Sequence, residues 1–68
     1  MKWMLKRYMV ERHIETLGQL ADTTGIARRT LYDRINNPRT IKLYELAALD
    51  KVLHFTDEDL VRITRGEF

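Results

Sequence analysis

The sequence predicts an all-α protein, a compact bundle of five short helices. Three observations lead there. Apolar residues recur at spacings of three and four, no segment alternates strictly enough to be a strand, and helix-starting hydroxyls, a glycine and a proline punctuate the chain where those runs begin and end. With 68 residues the chain makes one domain, residues 1–68, and a domain that small buries only about 60% of the surface its unfolded form exposes. It has no cysteine and only two histidines, His13 and His54, far apart in sequence. Disulfides and a structural zinc site are therefore not expected, and stability has to come from helix packing.

The first helix is expected from Lys2 to His13. Leu5 with Met9, and Met4 with Tyr8, fall at i, i+4 among Lys6, Arg7, Glu11 and Arg12, which makes the segment amphipathic. Trp3 is placed over one edge of the core. Thr16 followed by Gln19 reads as a capping box that starts a second helix over residues 17–24. Ala21 is small where a neighbouring helix must approach. Gly25 can turn left-handed at low cost, so the chain reverses there. A third helix over 28–36 turns Leu31 and Ile35 inward and shows Arg29, Tyr32, Asp33 and Asn36 on the opposite face, with Arg28 on its exposed first turn.

Asn37-Pro38 ends that helix, because proline disfavours helical backbone in the residue before it. A fourth helix over 43–53 carries Leu43, Leu46, Ala47, Leu49 and Leu53, and Phe55 plugs the core from the loop that follows. Thr56 caps a fifth helix whose first turn holds Asp57, Glu58 and Asp59, the charge that a helix N-terminus favours. Leu60 and Ile63 face inward, Arg62 and Arg65 lie near its end, and Gly66 stops it.

The net charge of +2 is unevenly spread. Residues 25–44 hold Arg28, Arg29, Arg34, Arg39 and Lys42 against Asp33, a balance of +4. Residues 45–61 hold Glu45, Asp50, Asp57, Glu58 and Asp59 against Lys51, a balance of −4. A basic segment next to an acidic one is the footprint of a molecule that orients itself on phosphate, although charge clusters also serve simply as solvated surface. The stretch TLGQLADTTGIARRTLYDRINN, Thr16 to Asn37, supplies what charge alone does not. Two short helices joined by a tight glycine turn, the second opening on paired arginines, form a helix-turn-helix.

The segment LADTTGIARRTLYDRI resembles the helix-turn-helix of the phage Cro and lambda-repressor-like superfamily, and the later VLHFTDEDL resembles the closing segment of that family. The likeness runs over nearly the whole chain, whose size is that of the short Cro-type proteins. It implies a lambda-repressor-like bundle in which helices 2 and 3 form the helix-turn-helix. It further implies that Ala27, Arg28, Arg29, Tyr32 and Asp33 face base edges, and that Thr16, Gln19, Asn36, Asn37, Arg39, Thr40 and Lys42 meet the DNA backbone. Arginine chemistry agrees, since a guanidinium can donate two parallel hydrogen bonds to guanine O6 and N7. Asp33 is expected to pair with Arg29 at i, i+4; accepting from a cytosine amino group is its other role. Tyr32 either touches a thymine methyl or a phosphate, or packs in part against the core. Tyr44 either meets a phosphate or covers the core.

The chain departs from the family at two positions. Leu17 stands where many members carry a glutamine that meets the backbone, and leucine cannot. Arg34 stands at a position that is usually apolar, so either its stem packs along the domain edge or the helix is slightly rotated.

These readings point to a sequence-specific DNA-binding transcriptional regulator, a Cro-like repressor of phage or prophage origin. It would read a two-fold symmetric operator as a homodimer, with half-sites about 34 Å apart. Leu49, Val52, Phe55, Ile63 and Phe68 are the candidates for a dimer surface. The alternative is a protein-interaction module of the same fold, antirepressor or antitoxin-like, which would not need Arg28, Arg29, Arg39 and Lys42 on one side. No nucleophile motif or glycine-rich phosphate loop points to an enzyme. No cofactor, metal, membrane or small-molecule substrate is expected, and the absence of cysteine and of a signal segment suggests the bacterial cytoplasm, at the nucleoid.

Overall fold

The computed structural model describes residues 1–67. In chain order they form α1 (Lys2–Glu11), α2 (Leu17–Thr24), α3 (Arg28–Asn36), α4 (Leu43–Leu53) and α5 (Asp57–Thr64), with a single 3₁₀ turn at Pro38–Thr40 and no strand among the described residues. The all-α expectation of five helices is met. The 3₁₀ turn was not foreseen. Asn37-Pro38 ends α3 as expected, but the chain tightens into one more turn before α4 begins.

One core holds the helices together. Leu5, Tyr8 and Met9 of α1 meet Leu20 and Ala21 of α2, Leu31 and Ile35 of α3, Leu46, Leu49 and Leu53 of α4, and Ile63 of α5. Phe55 closes it from the α4–α5 loop, its ring edge-on to Tyr8 at a centroid distance of 4.9 Å. The pairs Leu5–Met9 and Leu31–Ile35 land on buried faces, and Met4 packs partly beside buried Tyr8, because α-helical side chains four apart stack on one side. Ala21, only 1% exposed, is small at a point of helix contact.

Several expectations need correction. Helix α1 ends at Glu11, not His13, because His13 takes a left-handed conformation (φ 57°). The N–H groups of His13 and Ile14 turn back onto the carbonyls of Val10 (3.2 Å) and Met9 (2.9 Å) and close the helix in a Schellman arrangement. Trp3 does not cover the core. It is 82% exposed, with Lys6 Nζ 5.9 Å from its ring centroid. Leu43 is 83% exposed, on the outer side of the first turn of α4, and Ala47 is exposed one turn later. Of the apolar residues offered for a dimer surface, Leu49, Phe55 and Ile63 are core, so they are not free to form one. Val52 packs partly against the core, and Phe68 lies outside the described residues.

Asp59 and Glu45 are buried, although both counted among the acidic surface residues of 45–61. Asp59 sits in the first turn of α5, where its backbone N–H donates to the Thr56 hydroxyl at 3.1 Å. Its carboxylate accepts from the Tyr8 hydroxyl and from Arg7 Nη2 at 2.7 Å, fastening α5 to α1. The Tyr8 hydroxyl also accepts the Thr56 N–H at 3.1 Å. The hydrogen bond from Tyr8 outweighs the upward push of burial and, with Arg7 and Thr56, holds the Asp59 carboxyl below the ordinary carboxylate range.

Candidate nucleic-acid interface

The turn between α2 and α3 is built by local chemistry. Thr16 Oγ1 accepts the Gln19 N–H at 3.1 Å, and Gln19 Oε1 accepts the N–H groups of Glu15 (2.7 Å) and Thr16 (3.4 Å). The capping box is thus complete, and it leaves the Gln19 amide NH₂ and the Thr16 hydroxyl proton available on exposed side chains. Gly25 takes φ 78°, and its N–H caps α2 by donating to the Ala21 carbonyl at 2.9 Å. Only glycine enters that region without strain. Thr24 steadies the exit from α2, its hydroxyl donating to the Leu20 carbonyl (2.8 Å) and accepting the Ile26 N–H (3.3 Å).

Helix α3 then presents one face inward and one outward. Leu31 and Ile35 are buried, whereas Ala27, Arg28, Arg29, Tyr32, Asp33 and Asn36 are exposed. Tyr32, at 46% exposure, is not a core residue. Leu31 and Ile35 lie where the sequence put them, so the helix is not rotated, and the unusual Arg34 is accommodated in another way. Its Nε donates to Glu45 Oε1 at 2.8 Å, and the same oxygen accepts the Lys42 N–H at 2.8 Å. Glu45 is 2% exposed and links the end of α3 to the start of α4.

Burial raises the pKa of Glu45, but the hydrogen bond from Arg34, aided by the Lys42 N–H, overrides that and leaves the carboxyl ionised below its ordinary range. Arg34 is raised in turn, first by that hydrogen bond. Its charge is therefore engaged within the domain. Arg34 Nη1 also approaches Thr40 Oγ1 at 3.5 Å, and Thr40 donates to the Asn37 carbonyl at 2.6 Å, so the Thr40 proton already has a partner.

The expected Arg29–Asp33 ion pair is not formed; the ion pairs among the described residues are elsewhere. Two exposed side chains gain only a few tenths of a kcal/mol from an i, i+4 pair, comparable to the entropy of holding them together. Arg28 instead reaches back to α2, its Nη2 3.2 Å from Asp22 Oδ2. Arg39 within the 3₁₀ turn and Lys42 just beyond it are exposed and line one shallow cleft with Arg65. Tyr44 is 69% exposed, outside the core, and Lys42 Nζ lies 6.0 Å from its ring. All twelve residues singled out for base or backbone contact, from Thr16 to Lys42, are exposed, as any contact with a ligand requires.

A family-level comparison matches residues 4–65 to the Cro/C1-type helix-turn-helix DNA-binding domain. The chain belongs to that family. No curated protein and no solved structure gives a significant match. The Cro/C1-type domain is a DNA-binding one, and the arrangement of α2, Gly25 and α3 is its helix-turn-helix. No helix among the described residues is long and apolar enough to cross a membrane, and no group of three His, Cys, Asp or Glu among them could hold a metal ion.

Two features of this Cro/C1-type domain escaped the sequence. The Arg34–Glu45 link spans eleven residues across a turn, outside the i, i+4 rule that finds helical ion pairs. The seat of Arg28 on α2 joins residues on two helices. Its one sequence signal was Gly18, a poor helix former in the first turn of α2.

Proposed function

We propose that this Cro/C1-type domain is a sequence-specific transcriptional regulator that inserts α3 into the major groove and binds a two-fold symmetric operator as a homodimer, in the manner of a Cro-like repressor of phage or prophage origin. The observation that carries this reading is the outward face of α3. Arg29, Tyr32, Asp33 and Asn36 stand free of the core on a helix whose other side is locked by Leu31, Ile35 and the Arg34–Glu45 pair. A rigid helix with exposed hydrogen-bonding side chains suits base edges, which demand fixed geometry.

In this reading Ala27, Arg28, Arg29, Tyr32 and Asp33 meet bases, with Arg29 donating to a guanine. The backbone is met at two places. Thr16 and Gln19 offer their remaining donors at the start of α2, and Asn36, Asn37, Arg39, Thr40 and Lys42 approach from the far end of α3. A single recognition helix covers few base pairs, so two copies on adjacent half-sites supply the specificity that one lacks.

The test is enrichment of duplexes from a randomised pool, followed by fluorescence-anisotropy titration of the enriched duplex at two salt concentrations, with Arg29→Ala alongside. Enrichment of a palindromic site, affinity that falls as salt rises and loss of site preference in Arg29→Ala are the expected results. Absence of binding at low salt overturns the reading.

A further inference from the structure

We infer that Gly18 and Asp22 form a seat on α2 that positions the Arg28 guanidinium for the duplex, making Asp22 a positioning residue for DNA recognition. The inference rests on the DNA-binding function proposed above and adds a specificity device to it.

Gly18 and Asp22 are four residues apart on α2 and so share one face of the helix. Arg28, the first residue of α3, lies across that face. A Cβ built on Gly18 would sit 3.1 Å from Arg28 Cζ, 3.3 Å from Nη1 and 3.4 Å from Nε. With the central carbon nearest and the nitrogens only slightly farther, the guanidinium rests broadside on the glycine, closer than a side chain there would comfortably allow. Asp22 Oδ2 then takes Nη2 from the side at 3.2 Å. A guanidinium has five N–H donors, and Nε and Nη1 have no partner among the described residues.

This contact does little for the fold. Both side chains are well exposed, at 63% and 69%, and ion pairs of that kind contribute next to nothing to stability. Its effect falls on Arg28 itself. A free arginine samples many rotamers, and binding must pay for losing them; one biased to lie across α2 has lost part of that freedom beforehand. The seat therefore favours a partner that needs the guanidinium in one place, a base edge or one fixed phosphate, over the diffuse charge of any duplex.

The experiment compares two probes by fluorescence anisotropy: the duplex enriched from the randomised pool, and a mixed-sequence duplex of equal length without that site. The readout is the ratio of the two affinities. Asp22→Ala is expected to lower this ratio about twofold, the scale on which an exposed ion pair can hold a side chain in place. Asp22→Asn, which keeps an acceptor oxygen, restores part of it. On an Arg28→Ala background, Asp22→Ala has no further effect.

Gly18→Ala is the second variant. Alanine strengthens a helix, so the thermal midpoint holds or rises while the added methyl shifts the guanidinium off its seat by a few tenths of an ångström and the ratio falls. A structural defect would not give that combination. Parallel tightening on both probes would mean that Asp22 is only an unfavourable charge near phosphate, and overturns the proposal. So does an unchanged ratio in Gly18→Ala, or an equal effect of Asp22→Ala with and without Arg28. If the unaltered domain binds neither duplex, the DNA-binding reading itself fails, a result distinct from specificity that ignores Asp22.

Discussion

Tyr8→Phe removes one oxygen atom and leaves the packing of the ring in place, so it isolates the polar fastening of α5 to α1. The edge-on contact with Phe55 at 4.9 Å stays, while the hydroxyl's donation to Asp59 and its acceptance of the Thr56 N–H are both lost. Thr56 is exposed, and water can take over its N–H. Asp59 is only 7% exposed and keeps Arg7, whose side chain is 60% exposed and correspondingly weak as a partner. The main loss is one hydrogen bond to a buried charge, about 2 kcal/mol, or roughly 8–16 °C in Tm for a domain of this size.

Thermal unfolding followed by circular dichroism at pH 7 reads that shift. Acid supplies a second check. The Asp59 carboxyl is held below its unfolded value, chiefly by Tyr8, so its contribution is fully present above that value and is lost as pH falls through the folded one. The gap between the unaltered protein and Tyr8→Phe should therefore narrow as the pH is lowered through the carboxylate range. Glu45 titrates in both proteins and cancels from the comparison. A Tm unchanged within error at pH 7, or a gap that does not narrow in acid, would refute the assignment of this stability to the Tyr8–Asp59 bond.

Further outcomes follow from the same geometry. Gly25→Ala meets no atom within 4 Å but must adopt φ 78°, and urea denaturation should show a loss of about 1 kcal/mol. Thr16→Ala removes the acceptor of the Gln19 N–H at 3.1 Å and should cost about 1 kcal/mol in the same assay. Lys42→Ala should weaken binding to the enriched and mixed duplexes alike and reduce the slope of log K against log salt by about 1. Stability of the unaltered domain should fall as pH drops below about 5, because Glu45 and Asp59 are both held below their unfolded values.

What the sequence made legible was local. The Thr16–Gln19 box, the Gly25 reversal, Asn37-Pro38 and the Thr56 cap are signals within a few residues of the structure they produce, and α2, α3 and α4 lie where those signals put them. The inward pairs of α1 and α3 were readable because helical period alone determines which side chains share a face. Signals that act across the chain were not readable. Nothing near Asp59 marks Tyr8 as its partner 51 residues away, and nothing near Arg34 marks Glu45. Trp3 and Leu43 show the converse, because apolarity said they belonged inside, while their positions on the outer sides of α1 and α4 leave them in solvent. At the candidate site the sequence left Tyr32 open between DNA and core, and the direction of Arg28 was not legible at all. It depends on a gap that a glycine leaves on another helix.

The link between Arg34 and Glu45 also bears on how the domain would approach DNA. The basic stretch of the sequence has five cations, yet Arg34 is matched by Glu45 and Arg28 by Asp22. Among the described residues that leaves Arg29, Arg39 and Lys42 without ion-pair partners. Long-range attraction scales with such unmatched charge, so encounters with the duplex would be only mildly accelerated and random DNA would be released quickly. A searching protein gains from that restraint: it spends less time stalled on wrong sites and leaves discrimination to the moment when α3 is seated in the groove.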